Sequence, residues 1–365
     1  STDLSGVSAR LSVLITDIDS AARQRDVGAS VMVLTEPTRS FVQSTAFERA
    51  VGFLAASPFT LIYILAPVYL LATVGILLFM PWGYTHAVML TPIVVSMLTP
   101  AWVPVALSPH ILGSWACRQI PKYFSYEEYH ETTDAELKEA HDAGKRFILV
   151  AHPHGVFSFC GVCGFIASVS SNNGVANLAT EVPTAAASVL RFFPLLKDLL
   201  GVFGVIDASA AVLKSRLSRR RGSFVLYVGG IAELFASSSQ REAVYLNKRK
   251  GFIKLALRTG GDVIPAYFFG NTTVLSVLKA GPLAALSRKL GVSVTLFWGR
   301  WGLPVPKPVK LVYARGRPLG LPQIDEPTDA DVEQWHAKYC DAVKTLFDNY
   351  KVRNPDYAHK ELELC

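Results

Sequence analysis

A mostly parallel α/β sheet flanked by helices, preceded by an N-terminal transmembrane helical hairpin, is the fold class that the 365 residues predict. Three observations carry it. Residues 50–117 contain no Asp, Glu, Lys or Arg, 68 residues in all, while both flanks carry ordinary charge. Beyond Arg118, short apolar runs without polar alternation recur between helical patterns, which is how strands covered on both faces read. Two of those helical patterns open on boxes of a threonine followed three residues later by an acid, which marks a helix N-terminus.

The first 49 residues are polar, with one amphipathic stretch, "ARLSVLITDIDSAARQR", expected to form a surface helix. Phe59 to Phe79 is a run of 21 residues, covering about 31 Å as a helix, enough for a bilayer core. Pro67 within it is tolerated in membrane helices, and "PWG" at 81–83 signals a turn. Tyr84 to Leu98 covers about 22 Å and is followed by Pro100, Pro104 and Pro109. Trp82 and Trp102 stand where interfacial aromatics are expected. Arg49 before the segment and Arg118 and Lys122 after it favour a hairpin that enters and leaves on the cytosolic face. A single span, with the second half lying at the interface, is the alternative. The expected organisation is a polar segment at 1–49, a membrane hairpin at 50–117 and a cytosol-facing domain at 118–365.

In that domain, "TTDAELKEAHDAG" opens on Thr133 and Glu136 and closes at Gly144. The expected strands are 147–151, 223–228, 262–270, 294–299 and 309–316. A closing helix begins at Thr328 and Asp331. It sets Val332, Trp335, Tyr339, Val343, Leu346 and Tyr350 on one stripe, read as core packing.

Composition narrows the partners. The net charge of +7 and pI near 9.1 suit polyanions: nucleic acid, anionic lipid headgroups or a phosphorylated cofactor. With a membrane segment present and no aromatic-basic recognition motif, lipid and cofactor come ahead of nucleic acid, which is not expected as a partner. Five cysteines do not make a disulfide framework and read as reduced thiols. "STDLSGVSAR" lacks a basic region followed by an apolar one, and Cys365 is the last residue, so neither a cleaved signal peptide nor a prenylation box is expected.

The chemistry gathers after the strand at 147–151, in "HPHG" at 152–155. Ligands of open α/β sheets bind beyond the carboxyl ends of strands, which is where His152 and His154 stand. A histidine there suits general-base removal of a proton from an alcohol or water. At i and i+2 on extended backbone the two rings point to opposite sides, so one can reach substrate while the other holds the loop. Cys160 and Cys163 form C-x-x-C, but a structural zinc site wants four ligands and no second paired motif follows; they read as packing thiols, with no metal expected. The hydrolase elbow G-x-S-x-G is absent, since Ser158 falls one place late after Gly155. Asn271-Thr272-Thr273 is a glycosylation sequon expected to be unmodified in a cytosolic domain. "YVGGIAELF" places Gly229 and Gly230 after a strand, offering backbone N–H groups to a ligand, with Glu233 able to orient a histidine. Lys248, Arg249, Lys250, Lys254 and Arg258, with Gly251 opening a helix, join "KSRLSRRRG" at 214–222 in a positive field able to hold phosphates.

These motifs resemble the type 2 diacylglycerol acyltransferase family, which also contains monoacylglycerol and wax-alcohol acyltransferases. They are "HPHG" at 152–155, "VLRFFPLLKDLLGVFGVIDAS" at 189–209, "GGIAE" at 229–233, "RKGFIKLALRTGGDVIPAYFFG" at 249–270 and "EPTDADVEQWHAKYCDAVKTLFDNYK" at 326–351. With the hairpin, the likeness covers roughly residues 50–350. It implies a glycerolipid acyltransferase-like fold and acyl transfer from acyl-CoA, a co-substrate, to a lipid hydroxyl, most simply diacylglycerol; the alternatives are a monoacylglycerol or fatty-alcohol acceptor, or a non-catalytic lipid-binding membrane protein that keeps the fold. It also implies a multi-pass endoplasmic reticulum membrane protein with cytosolic termini; lipid-droplet contact and a homo-oligomer are compatible with that. Within it, His154 is the expected base, His152 and Glu233 its orienting groups, Gly229 and Gly230 the oxyanion donors, and Arg249, Lys250, Gly251 and Lys254 the coenzyme A site. No tightly bound cofactor is expected. The chain departs from the wider superfamily's H-x-x-x-x-D, where the acid's position is Phe159 counted from His154 and Phe157 counted from His152. "YFP" after the hairpin reads Tyr123-Phe124-Ser125 here.

Overall fold

Six strands form one sheet: β1 (Arg39–Ser40), β2 (Glu127–His130), β3 (Phe147–His152), β4 (Phe224–Leu226), β5 (Asp262–Phe269) and β6 (Val312–Arg315). Their order is β1-β2-β6-β5-β3-β4. The computed structural model describes residues 33–99, 108–170, 182–218, 222–230, 233, 240–278 and 296–365. The amphipathic stretch before residue 26, Trp102 and residues 219–221 of the second basic run lie outside them.

β3 lies between β4 and β5, parallel to both, with Ile148 opposite Phe224 and Val263. β6 also runs parallel to β2, but it is antiparallel to β5, as β1 is to β2. The sheet is therefore mixed, parallel at its centre and reversed at β6. The apolar run could not reveal the reversal, because a strand buried on both faces reads alike in either direction. Of the run at 294–299, residues 294 and 295 lie outside the described residues; Phe297–Trp298 is strand and pairs with Ser276–Val277 outside the main sheet. β2 escaped the sequence reading because it is polar. Its buried Glu128 is held by Arg39 at 2.7 Å and by the Tyr126 hydroxyl at 2.8 Å. Burial still raises the Glu128 carboxyl above its ordinary range.

Helices cover both faces: α1 (Ala46–Ala56), α2 (Pro58–Phe79), α3 (Tyr84–Leu98), α4 (Asp134–Asp142), α5 (Phe159–Ser170), α6 (Ala210–Ser218), α7 (Gly251–Thr259) and α8 (Asp329–Tyr350). The expected capping boxes hold, Thr133 with Glu136 on α4 and Thr328 with Asp331 on α8. Alternation along β5 sorts the layers. Tyr267 and Phe269 meet Phe347 of α8 at ring separations of 4.9 and 5.5 Å, while Phe268 turns to Tyr227 and Tyr313. On α8 the stripe is buried except at Trp335, which is half-buried beneath Lys338; His336 and Phe347 complete it.

α1 and α2 make a helix of 34 residues, Ala46–Phe79, long and apolar enough to cross a membrane. α3 folds back along α2, where the Tyr69 hydroxyl donates to the Met89 carbonyl at 2.9 Å. Both feet of this pair rest on the α/β body. At the start of α2, Thr60 donates to the Pro304 carbonyl at 2.8 Å. At the end of α3, Ser96 and Thr99 donate to Asp198, which also pairs with Lys197. The far end is bare, with Phe79 and Tyr84 each 84% exposed.

α1 lies against the segment Ile120–Tyr123, and Gly52 is the closest approach: a Cβ there would stand 2.2 Å from the Gln119 carbonyl oxygen. Gly52→Ala gains about 1 kcal/mol of helix propensity but forces the helix off this backbone oxygen, at a cost of about 1–3 kcal/mol. Thermal melts in detergent should show a lower Tm; an equal or higher one would mean that α1 is not seated this way.

Candidate active site

The histidine loop leaves β3 at its carboxyl end, and the peptide bond between His152 and Pro153 is cis. The two rings part company there, as i, i+2 spacing predicts. His152 is fully buried and turns to α8, where Nε2 lies 2.9 Å from the Tyr339 hydroxyl. Its Nδ1 faces Glu233 Oε1 at 3.6 Å. At that distance neither Nδ1 nor Oε1 is hydrogen-bonded among the described residues, so the Tyr339 hydroxyl is the polar group that holds the His152 ring. The contact of that hydroxyl with the Val150 carbonyl is longer, 3.4 Å.

His154 turns the other way and is half-buried, edge-on to Tyr227 at 4.7 Å. Its Nδ1 is 2.7 Å from the Gly155 carbonyl oxygen, which can only accept, so the ring hydrogen sits on Nδ1. Nε2 is then a bare lone pair, and among the described residues nothing bonds to it. Burial lowers the pKa of His154 below the ordinary histidine value, against the opposing pull of the Gly155 carbonyl and of Glu233.

Neither Glu233 nor His152 touches the ring of His154 among the described contacts, because the turn at Pro153 sends the two imidazoles to opposite layers. Instead Glu233 Oε2 accepts the main-chain N–H of His154 at 3.3 Å while Oε1 faces His152. One carboxylate thus clamps both arms of the turn. Gly229 makes room for it, since a Cβ there would overlap Glu233 Oε1 at 1.6 Å. Gly230 has a φ of 61°, and the N–H groups of the glycine pair are not taken by any described residue.

The basic residues stand further back. Gly251 opens α7, and the next residue, Phe252, packs edge-on to Tyr339 at 5.0 Å, so two side chains separate this terminus from His152. Lys250 pairs with Glu333 and Lys254 lies 4.0 Å from Asp329, both on α8; Arg249 is exposed. Cys160 and Cys163 sit wholly inside the core on α5, and burial pushes both thiols well up, which leaves them protonated and inert. Ser158 Oγ accepts from Tyr227 at 2.9 Å and from the Gly161 N–H at 3.3 Å.

Three contributors escaped the sequence reading. Asn271, met there only as a sequon, is 2% exposed. Its amide donates to the carbonyls of Pro153 at 3.0 Å and His154 at 2.6 Å, and its oxygen accepts the Cys160 N–H at 3.1 Å. It immediately follows Gly270 beyond the carboxyl end of β5, the same kind of position that singled out the histidines, so that rule applied twice would have found it. Tyr339 was read as packing, yet it holds His152. Tyr227 carried no signal beyond its place near a strand end.

The sequence model of the diacylglycerol acyltransferase family matches residues 111–364. The chain belongs to that family. Curated relatives include Diacylglycerol O-acyltransferase 2-like protein 6 of Homo sapiens, 29% identical over 281 residues, 70% of this chain and 82% of that one. Diacylglycerol O-acyltransferase 2 of Dictyostelium discoideum is 32% identical over 59% of this chain and 69% of its own. 2-acylglycerol O-acyltransferase 3 of Homo sapiens is 31% identical over 57% and 65%. Among solved structures, the 1-acyl-sn-glycerophosphate acyltransferase PlsC of Thermotoga maritima aligns with 82% of this chain and 93% of its own, at 11% identity and a TM-score of 0.39. The protein is thus an acyltransferase of the diacylglycerol acyltransferase family.

In this acyltransferase the loop depends on Asn271. Asn271→Ala strips three buried groups of their partner and should cost about 2–4 kcal/mol, read as a lower urea midpoint. Unchanged stability would show that the amide is replaceable.

Proposed function

We propose that the protein transfers an acyl group from acyl-CoA to the free hydroxyl of diacylglycerol at a membrane surface, with His154 as general base. The observation that carries this is the bare Nε2 of His154, its tautomer locked by the Gly155 carbonyl at 2.7 Å. In the reaction, Nε2 takes the hydroxyl proton as the oxygen attacks the thioester carbonyl. The resulting oxyanion is met by the N–H groups at Gly229 and Gly230. Collapse breaks the carbon–sulfur bond, and the departing thiolate recovers the proton from His154. Neither a covalent acyl-enzyme nor a metal is part of this scheme. His152 and Glu233 hold the turn, so their part is positioning.

The surroundings support a lipid acceptor. Phe157, three residues beyond His154, stacks on Phe59 at the foot of α2 at 5.8 Å and lies 6.0 Å from Phe203. The site therefore opens beside the root of the long apolar helix. Both feet of the α2–α3 pair rest on the same body, which supports a hairpin that enters and leaves one leaflet, with Phe79 and Tyr84 at its inserted end. The endoplasmic reticulum membrane, facing the cytosol, is the proposed setting. Arg249, Lys250 and Lys254 are proposed to take the coenzyme A phosphates, exchanging carboxylate partners on α8 for phosphate.

Microsomes carrying the protein, supplied with labelled acyl-CoA and equal amounts of monoacylglycerol, diacylglycerol and fatty alcohol, should yield mainly triacylglycerol. Predominant diacylglycerol or wax ester would reassign the acceptor within the family. His154→Ala should lower kcat by roughly 10²–10⁴-fold while membrane integration is kept; full activity would remove His154 as the base.

The pH profile is a separate measurement. A base works deprotonated, and burial favours the neutral ring, so the acid limb of kcat/KM should lie below the ordinary histidine value and be flat above neutrality. An acid limb above that value would contradict the desolvated environment.

A further inference from the structure

Lys360 and Glu242 form an ion pair inside the protein, Nζ to Oε1 at 3.1 Å, with side chains 4% and 0% exposed. The lysine is delivered there by the C-terminal segment. Glu361–Leu364 pairs in parallel with Arg241–Val244, and Leu246 and Asn247 donate to the Cys365 carbonyl at 2.9 and 2.8 Å. The ammonium lies over the ring of Tyr357 at 4.1 Å. Stability alone is a weak account of such a pair, because taking two charges from water offsets most of their attraction.

Glu242 has a second partner. The same Oε1 accepts from the Thr272 hydroxyl at 3.0 Å, and that hydroxyl also meets the Tyr357 hydroxyl at 3.0 Å. Thr272 is bonded directly to Asn271, whose amide holds the carbonyls of Pro153 and His154. An unbroken line of contacts thus runs from the C-terminal segment to the histidine loop: Lys360, Glu242, Thr272, Asn271, His154. Asn271 also has to keep its amide facing the loop while Gly155, at a φ of 68°, passes so close that a Cβ would stand 2.8 Å from the Asn271 carbonyl oxygen. The loop tolerates little drift of residue 271.

We propose that the buried Lys360–Glu242 pair positions the histidine loop, with Glu242 as the acceptor that fixes Thr272 and Lys360 as the partner that holds this carboxylate in place. The proposal rests on the reading of His154 as the base. It makes Tyr357–Cys365 part of the active-site scaffold.

Two double variants separate positioning from mere stability. Both remove the lysine's charge with Lys360→Met. One adds Glu242→Gln, which keeps an acceptor oxygen for Thr272; the other adds Glu242→Leu, which does not. Neither leaves a buried charge unpaired. With acyl-CoA and diacylglycerol as substrates, the Gln double should stay within about twofold of the parent in kcat, while the Leu double falls roughly 10–100-fold with KM for acyl-CoA unchanged. Lys360→Arg, which keeps the charge, should be nearly silent. Equal turnover in the two doubles would overturn the proposal. If the Leu double does not fold, Thr272→Val decides: a comparable loss of kcat at an unchanged Tm supports positioning, and full turnover sinks it. His154→Ala in the same assay answers for the base assignment by itself.

Discussion

The side-chain amide of one buried asparagine carries the site. Asn271 spends its donors on two successive carbonyls of the histidine loop and its acceptor on the first turn of α5. An amide is the only side chain that meets both demands at once, since a carboxylate would set oxygen against oxygen and a hydroxyl cannot span them. Through it, the ends of β3 and β5 and the start of α5 become one unit. The register of the sheet makes this possible by setting His152 opposite Tyr267, two residues before β5 ends, so that Asn271 follows beside the histidine loop.

From that unit the electrostatics follow. Glu233 is buried against Gly229 with one oxygen toward His152 and one on the main chain of His154. It accepts the main-chain N–H of His154, so it braces the loop without touching the ring of that histidine. His154 lies between this polar cluster and the aromatic layer of Phe157, Phe59 and Phe203. In the proposed reaction, this boundary would let the base meet a polar headgroup from one side and acyl chains from the other.

Much of this was legible before any coordinates. Uncharged length announced α2 and α3, capping boxes announced α4 and α8, and the rule about strand ends announced both histidines. What stayed hidden has physical reasons. β2 is a strand built on Glu128 and His130, whose burial depends on Arg39, 89 residues before Glu128, as well as on nearby Asp134. The reversal of β6 leaves no trace in an apolar run. The roles of Tyr339 and Asn271 arise only when separate elements meet, because a tyrosine on an apolar stripe and an asparagine after a strand look alike whether or not they hold something. The family resemblance was visible in ordered motifs and is upheld across residues 111–364.

The sequon built on Asn271 acquires a different meaning from its location. A sugar on that nitrogen and a formed histidine loop are mutually exclusive, because the atom that would carry the glycan is the one donating to Pro153 and His154. The threonine that an oligosaccharyltransferase would have to read, Thr273, is itself turned back onto the Gly270 carbonyl at 2.9 Å. In the folded protein the amide nitrogen is therefore committed to the loop and is no open attachment point.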